Sequence, residues 1–325
     1  MAKRQPEPSA VAPLHAAGHA QRLLRRLEWQ VIRKLDGVLQ GDYRTLLRGA
    51  GIDLADLREY EPHDDVRRID WNVTARTATP HVRVFTEDRE MAAWFVLDLS
   101  PSTGFGSGRR TKREVCTEFV GVLARLLTRH GNRVGALIHD GVDGEGSGID
   151  ARVPARSGRP HVLHLLHTVL HRPAARGRSA TRLAALLRGA GASIARRSTV
   201  FVVSDFLSDP GWDRPLGMLA RRHDVVAVRL YDPLELDLPD LGLVTLRDAE
   251  TGEHMLVDTH DRGFRRRFAA AAAAREAALR EGLARAGVDT LELCTDDDLG
   301  ETLLRFADLR RHRVRPGQTA QLAAA

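Results

Sequence analysis

The chain has 325 residues, with 49 lysines and arginines, 43 aspartates and glutamates, and two cysteines. Apolar residues make up 43% and charged residues 28%, which is typical of a folded globular protein and excludes collagen-like, disulfide-rich and wholly disordered classes. Cys116 and Cys294 form neither a disulfide framework nor a CxxC metal pair. The sequence contains neither a long apolar run nor an apolar signal core. We therefore expect a soluble protein of the reducing cytoplasm.

The net charge of +6 at first favours a nucleic-acid ligand. Its distribution along the chain favours a different interpretation, because residues 92–198 sum to +10 while residues 51–91 and 199–260 sum to −4 and −7. Only three of the basic residues are lysines, and aromatic residues are not interleaved with the basic runs for base stacking. This pattern indicates a polarised surface that suits protein partners, with nucleic-acid binding as an alternative.

The N-terminal quarter of the sequence predicts a leader, a helix and a small β-rich unit. Residues 1–18 are rich in proline and polar side chains, which predicts a disordered leader. Apolar residues recur at helical spacing over residues 21–39, which predicts an amphipathic helix. Within residues 52–91, Ile69–Val73 and His81–Thr86 are predicted to be strands.

The rest of the chain alternates short apolar strands with helices, which predicts an α/β fold whose parallel sheet is flanked by helices. The predicted strands cover residues 92–97, 133–138, 199–204, 225–230 and 290–293. The predicted helices cover residues 112–129, 160–170, 181–194, 213–221, 264–286 and 297–309, and a hairpin is predicted at 243–247 and 254–257. The predicted parts of the chain are the leader (1–18), the N-terminal helix with the β-rich unit (19–91), the α/β domain (92–312) and a flexible tail (313–325).

Oxygen-bearing side chains follow two of the predicted strands. Asp98, Ser100 and Ser102 come directly after the first core strand, and Asp205 follows another apolar strand. Thr181 opens a predicted helix. The carboxyl ends of parallel strands line one crevice, so we expect these side chains to converge there. Hydroxyl and carboxylate oxygens suit Mg²⁺ or Mn²⁺, so the sequence predicts a divalent-metal site. The alternative is a Ser/Asp turn that caps the following helix.

This set resembles the metal-ion-dependent adhesion site of von Willebrand factor A domains, in which a DxSxS turn is combined with a later threonine and aspartate. The resemblance implies a Rossmann-like parallel sheet flanked by helices, with the β-rich unit inserted before the first core strand. It also implies that Asp98, Ser100, Ser102, Thr181 and Asp205 hold the ion directly or through water. One coordination position would then stay open for a carboxylate from a partner.

A second segment, Leu57–Trp71, resembles the signature R-E-Y-x-P-G-D-D-x-R-x-I-D-W of the bacterial domain-of-unknown-function family 58. That signature is followed by A-R, which Ala75 and Arg76 match, and the resemblance covers roughly residues 40–312. His63 stands where the family usually has a glycine. We expect the motif to form a buried ion-pair network, with a catalytic acid–base set or a partner surface as alternatives. Its residues in this chain are Arg58, Glu59, Tyr60, Asp64, Asp65, Arg67, Asp70, Trp71 and Arg76.

The family resemblance implies a protein without catalytic chemistry of its own that works with a MoxR-type AAA+ ATPase. Such pairs resemble chaperone-like machines that remodel client complexes. The expected function is therefore an adaptor that links the ATPase to a client protein through the metal site. Two other functions are weighed against it: a Mg²⁺-dependent phosphoester hydrolase that uses the same carboxylates, and a nucleic-acid-binding module.

Overall fold

The computed structural model describes residues 12–33, 35, 56–61, 66, 69, 71–84, 92–140, 148–172, 183–247 and 252–314. Its strands are β1 (Asp56–Glu59), β2 (His81–Val84), β3 (Ala92–Asp98), β4 (Arg133–His139), β5 (Ala151–Arg156), β6 (Thr199–Ser204), β7 (Asp224–Tyr231), β8 (Leu243–Arg247), β9 (His254–Asp258) and β10 (Asp289–Cys294). Its α-helices are α1 (Ala12–Leu27), α2 (Trp71–Thr77), α3 (Lys112–Arg129), α4 (Arg159–Leu170), α5 (Leu183–Ser193), α6 (Asp213–Ala220), α7 (Arg262–Ala286) and α8 (Leu299–Val314). A π-helical turn, Glu28–Ile32, follows α1, and 3-10 turns cover Pro101–Gly104 and Pro233–Glu235.

Six strands form the central sheet in the order β10-β7-β6-β3-β4-β5. Five of them are parallel, and β5 pairs antiparallel with β4 at one edge. The central strands are apolar and buried on both faces, as in the run Thr199–Ser204, because helices cover the sheet on each side. The predicted α/β class with a mostly parallel sheet is confirmed. The sequence did not predict β5, which contains Pro154, a residue that sheets accept at an edge strand.

Aromatic side chains fill the core on one face of the sheet. Phe95 of β3 and Phe201 of β6 stack with ring centroids 5.6 Å apart. Phe119 of α3 packs edge-on against both rings, at 6.4 and 6.0 Å. On the opposite face, Val96 and Val202 pack in a second cluster under α5, α6 and α7. Side chains that alternate along each strand thus supply two cores, one on each side of the sheet.

Helix α1 packs outside the helices that cover one face of the central sheet. It begins at Ala12, inside the stretch predicted as leader. Its Leu24 and Leu27 are buried in the same core as the phenylalanines of the sheet. Ion pairs join this region to α3, from Arg26 to Glu118 and from Arg125 to Glu28. Helix α1 therefore packs against α3 and α4, which lie between it and the central sheet.

Among its described residues, the unit directly before β3 has two short strands and one helix. Strand β1 pairs antiparallel with β2, and helix α2 lies between them in the sequence. The predicted strand Ile69–Val73 is wrong, because Trp71 opens α2 and Ile69 makes only an isolated bridge to Val82. Strand β2 forms its hydrogen-bond ladder with β1. Within α2, the Thr77 hydroxyl donates to the Val73 carbonyl at 3.0 Å. The predicted domain boundary lies between residues 91 and 92. The residues just before it, 85–91, lie outside the described part.

No helix among the described residues has the length and apolar character needed to cross a membrane.

Replacing Phe95 by alanine is expected to reduce the free energy of unfolding by about 3–5 kcal/mol, because the cavity left between two aromatic partners cannot collapse fully. The Phe105→Ala variant is the matched control, since Phe105 is 40% exposed. Its loss should be below about 1 kcal/mol. Urea unfolding at pH 7.5 measures both. Equal losses in the two variants would contradict the three-ring core.

His223 gives the fold a defined pH dependence. Burial lowers the pKa of His223, and the positive charges of Arg222 and Arg197 lower it further. Its two ring nitrogens have no hydrogen-bond partner among the described residues. The unfolded chain, with a histidine pKa near 6.5, binds the proton more readily than the folded one. Stability is therefore full above about pH 6.5 and falls below it by at most about 1.4 kcal/mol per pH unit from this group.

The His223→Leu variant should flatten that fall relative to the wild type, measured by urea unfolding between pH 7.5 and pH 5. The exposed His254 provides the control, since His254→Leu should leave the slope unchanged. A wild-type slope that survives in the His223 variant would show that other groups carry the pH dependence.

Candidate functional site

The chain turns sharply where β3 ends, and this turn presents two serine hydroxyls. The backbone N–H of Ser100 donates to Asp98 Oδ1 at 3.1 Å, and the N–H of Thr103 donates to the Ser100 carbonyl at 3.0 Å. The Thr103 hydroxyl donates to the same carbonyl at 2.8 Å. These bonds form the 3-10 turn Pro101–Gly104 and satisfy backbone groups that would otherwise be buried without partners.

Asp98 is fully buried and joins two neighbouring strands. The Ser204 hydroxyl at the end of β6 donates to Asp98 Oδ2 at 2.7 Å. Burial raises the pKa of Asp98, as does the nearby negative charge of Asp205, whereas the hydrogen bonds from Ser204 and Ser100 lower it. Burial therefore disfavours the ionised form of Asp98, and the two hydrogen bonds offset part of that cost.

The two hydroxyls of the turn fit the ligand spacing of a small divalent ion. Ser100 Oγ and Ser102 Oγ are hydrogen-bonded to each other at 3.1 Å, and both residues are buried. Adjacent ligands of an octahedral Mg²⁺ with bonds of 2.0–2.1 Å are about 3 Å apart. The donor set of hydroxyl and carboxylate oxygens is also the chemistry that this ion prefers. The donor types of Asp98, Ser100, Ser102 and Asp205 therefore suit a divalent ion, and the two serine hydroxyls have a compatible spacing.

Asp205 lies at the end of β6, on the strand next to Asp98. Its Oδ1 accepts the N–H of Leu207 at 3.1 Å. Phe206 adopts a positive φ of 58°, which is rare for an aromatic residue, and its ring contacts Trp212 at 5.0 Å. The chain therefore turns away from the sheet directly after Asp205, so this carboxylate stays at the carboxyl end of β6.

A buried lysine occupies the other oxygen of Asp205. The Lys112 Nζ donates to Asp205 Oδ2 at 2.7 Å and to Glu235 Oε1 at 2.6 Å, and the lysine side chain is 0% exposed. Burial lowers the pKa of Lys112, but the charges of Asp205 and Glu235 and their hydrogen bonds outweigh it and raise the pKa above its usual value. The ammonium is thus held charged at the strand ends by two carboxylates.

Asp232 links the loops around this site from the end of β7. It is 0% exposed and accepts hydrogen bonds from the Ser107 N–H and hydroxyl at 2.8 and 2.7 Å, from the Thr295 hydroxyl at 2.8 Å and from the Leu234 N–H at 3.0 Å. Burial raises the pKa of Asp232, but these hydrogen bonds dominate and hold it below its ordinary value. The Asp232 N–H in turn donates to Glu235, the partner of Lys112.

A cavity of about 310 Å³ opens beside Asp205, between the loop after β6 and helix α7. Apolar side chains that include Phe206, Trp212 and Leu279 line most of it. Glu235, on its rim, connects the cavity to the Lys112 ion pairs. Asp205 and Glu235 thus both line the cavity and pair with Lys112.

Four of the five predicted metal ligands lie together at the carboxyl ends of β3 and β6: Asp98, Ser100, Ser102 and Asp205. Thr181, the fifth, lies outside the described residues. Within the described part of the chain, no group of three or more His, Cys, Asp or Glu side chains is arranged to hold a metal ion. A metal here would therefore depend on hydroxyl ligands as much as on carboxylates.

The Leu57–Trp71 motif is described only in part. Glu59 pairs with His81 across β1 and β2, and the Tyr60 N–H donates to the Pro80 carbonyl at 2.8 Å. Glu59 and Arg76 are exposed, and Trp71 is 69% exposed, so these three side chains are not part of a buried network. For Arg58 only the backbone is described, and Asp64, Asp65, Arg67, Asp70 and His63 lie outside the described residues.

Sequence reasoning missed Lys112, Glu235, Ser204 and Asp232. Lys112 did carry a signal, because it is one of three lysines in a chain whose other 46 basic residues are arginines. A compact ammonium on a flexible stem fits a closed site where a planar guanidinium would not. Asp232 and Glu235 also carried a local signal, because they form a capping box directly after an apolar strand. Their contacts to Thr295 and Lys112 join residues more than 60 positions apart, which the sequence did not indicate.

A family model described as "Protein of unknown function DUF58" matches residues 56–278, and the chain belongs to this family. The resemblance carried by Leu57–Trp71 is thereby confirmed. Uncharacterised proteins of Mycobacterium tuberculosis and Mycobacterium bovis are each 41% identical to this chain over 298 residues, which covers 90% of both sequences. An uncharacterised protein of Mycobacterium avium is 41% identical over 171 residues, covering 51% of this chain and 98% of its own.

Two solved structures are similar to part of the chain. An aerotolerance-related membrane protein from Bacteroides fragilis has a TM-score of 0.43 and 11% identity, covering 69% of this chain and 99% of its own. The BatB protein of Bacteroides thetaiotaomicron has a TM-score of 0.41 and 13% identity, covering 68% of this chain and 99% of its own.

Replacing Asp232 by asparagine is expected to reduce the free energy of unfolding by about 2–4 kcal/mol, because an amide offers one acceptor oxygen where four donors converge. Asp237→Asn is the control, since Asp237 lies on the same loop and is exposed. Urea unfolding measures the two losses. A neutral Asp232→Asn variant would show that the loops do not depend on this carboxylate.

Proposed function

We propose that this protein is a non-enzymatic adaptor whose von Willebrand factor A-like domain binds a partner protein through a divalent ion at the carboxyl edge of its central sheet. The observation that carries the proposal is the pair of buried hydroxyls of Ser100 and Ser102, 3.1 Å apart, at the same strand ends as the buried carboxylates Asp98 and Asp205. Asp98, Ser100, Ser102 and Asp205 would hold Mg²⁺ or Mn²⁺, with Thr181 as the fifth ligand of the predicted set. The ion would supply an open coordination position for an Asp or Glu of the partner.

Each residue has a separate part in this binding. The two serines provide neutral ligands, so the ion keeps enough positive charge to attract a further carboxylate. Asp98 and Asp205 place negative charge beside the ion, and Ser204 fixes the orientation of Asp98. The apolar cavity beside Asp205 supports a protein partner, because it can accept an apolar side chain next to the coordinating carboxylate.

We infer that the partners are a MoxR-type AAA+ ATPase and a client complex, in the cytoplasm. Membership of the DUF58 family supports this inference, through the resemblance to proteins that act beside such ATPases. The alternation of charge between residues 92–198 and 199–260 also supports a protein partner, because surfaces of mixed sign dock on surfaces of complementary sign. Binding at this site needs no general base, which distinguishes the adaptor from a Mg²⁺-dependent phosphoester hydrolase.

The test is co-purification of the full chain with the MoxR-type ATPase of the same organism, in Mg²⁺ and in EDTA. We expect the complex to form in Mg²⁺ and to dissociate in EDTA. The double variant Ser100→Ala/Ser102→Ala should bind Mn²⁺ at least about 10-fold more weakly by titration calorimetry and should lose the ATPase.

The matched control is Ser157→Ala, an exposed serine after β5, which should behave as the wild type. Metal-dependent turnover of phosphodiesters that is lost in Asp205→Ala would instead support the hydrolase. Retention of the ATPase in EDTA and by the double variant would overturn the metal bridge.

A further inference from the structure

Lys112 is a fully buried cation at the candidate site. It is the first residue of α3, where Thr111 and Glu114 form a reciprocal capping box that fixes the backbone. A positive charge at a helix N-terminus gains nothing from the helix dipole, so the position of this lysine needs another cause. The cause is a pair of carboxylates: the Lys112 ammonium forms ion pairs with Asp205 at 2.7 Å and with Glu235 at 2.6 Å.

The contacts of Asp205 define which of its two oxygens is available to another cation. Oδ1 accepts the backbone N–H of Leu207, which is fixed by the turn after β6. Oδ2 accepts the Lys112 ammonium, which ends a flexible four-carbon stem. A cation that binds Asp205 must therefore share this carboxylate with the lysine unless the lysine moves.

Charge leads to the same conclusion. Ser100 and Ser102 are neutral, so the negative charge of the predicted ligand set comes from Asp98 and Asp205. Lys112 neutralises part of that charge from within the protein. A divalent ion and an ammonium that share one carboxylate repel each other, and burial strengthens the repulsion because water does not screen it.

We propose that Lys112 is a built-in competitor of the divalent ion: its ammonium holds Asp205 in the metal-free protein, and metal binding releases the lysine from Asp205. This inference rests on the proposed metal site and adds its regulation. The lysine reduces the negative charge of the site and keeps it closed without metal, and it sets the metal concentration at which the partner-binding surface forms. Glu235 keeps the released ammonium near the site, because it contacts Lys112 independently of Asp205.

The first arm of the test measures Mn²⁺ affinity by titration calorimetry for the wild type, Lys112→Met and Arg109→Met. Methionine keeps the length of the lysine stem and removes the charge. We expect Lys112→Met to bind Mn²⁺ at least about 10-fold more tightly than the wild type, because Asp205 is no longer shared. Arg109 is an exposed cation in the loop before α3, so Arg109→Met measures the effect of removing a distant charge and should change the affinity by less than about threefold.

The second arm uses the wild-type full chain and does not depend on the variant folding. An amine-acylating reagent is applied with increasing Mn²⁺ or Mg²⁺, and modification is read by peptide mass spectrometry. The chain has three lysines, so Lys3 and Lys34 report any general effect of metal on the reagent. We expect Lys112 to be protected without metal and to become at least about fivefold more reactive at saturation, relative to the other two lysines.

The outcomes separate the inference from the function on which it rests. Equal Mn²⁺ affinity in the wild type and Lys112→Met, or a Lys112 that stays protected at saturating metal, overturns the competition and leaves the metal site standing. Absence of Mn²⁺ binding in all three proteins overturns the metal site and the competition together. Binding in Lys112→Met alone supports the competition but overturns the metal bridge of the wild-type protein, because it shows a site that the lysine keeps closed to the ion.

Discussion

Charged side chains buried at the carboxyl edge of an apolar sheet are the constraint on which this structure depends. The strands that meet there are apolar on both faces, so a carboxylate placed at their ends has little water to solvate it. Each buried carboxylate therefore needs donors from other elements. Asp98 takes them from its own turn and from β6, Asp205 from Lys112, and Asp232 from loops that follow β3 and β10.

These contacts tie together segments that are far apart in the sequence. The Ser204–Asp98 hydrogen bond joins residues 106 positions apart, and the Thr295–Asp232 bond joins residues 63 apart. Strand pairing aligns the sheet, but these polar bonds fix how the loops at its edge sit relative to one another. A site made from several loops gains rigidity in this way, and a preorganised set of ligands binds an ion more tightly than a flexible one.

The same arrangement connects stability to the proposed function. A lysine that pairs with Asp205 stabilises the metal-free fold, because it neutralises a carboxylate that burial would otherwise disfavour. In the proposed competition, the same lysine opposes the divalent ion. A change at Lys112 would then lower the stability of the metal-free fold and raise the affinity for metal. The apolar cavity beside Asp205 places this balance next to a surface that a protein partner can contact.

The sequence by itself determined the α/β class, most strand and helix bounds, the family, and the grouping of Asp98, Ser100, Ser102 and Asp205, because apolar periodicity and residues at strand ends are local features. It failed at Ile69–Val73, where Trp71 opens a helix and β2 pairs with β1 instead. It also missed the edge strand β5, since Pro154 obscures a strand pattern. Only the tertiary structure decided that Lys112 reaches Asp205 and Glu235, which are 93 and 123 residues away. Burial and pairing of charges depend on which distant elements meet, and no local pattern of residues records that meeting.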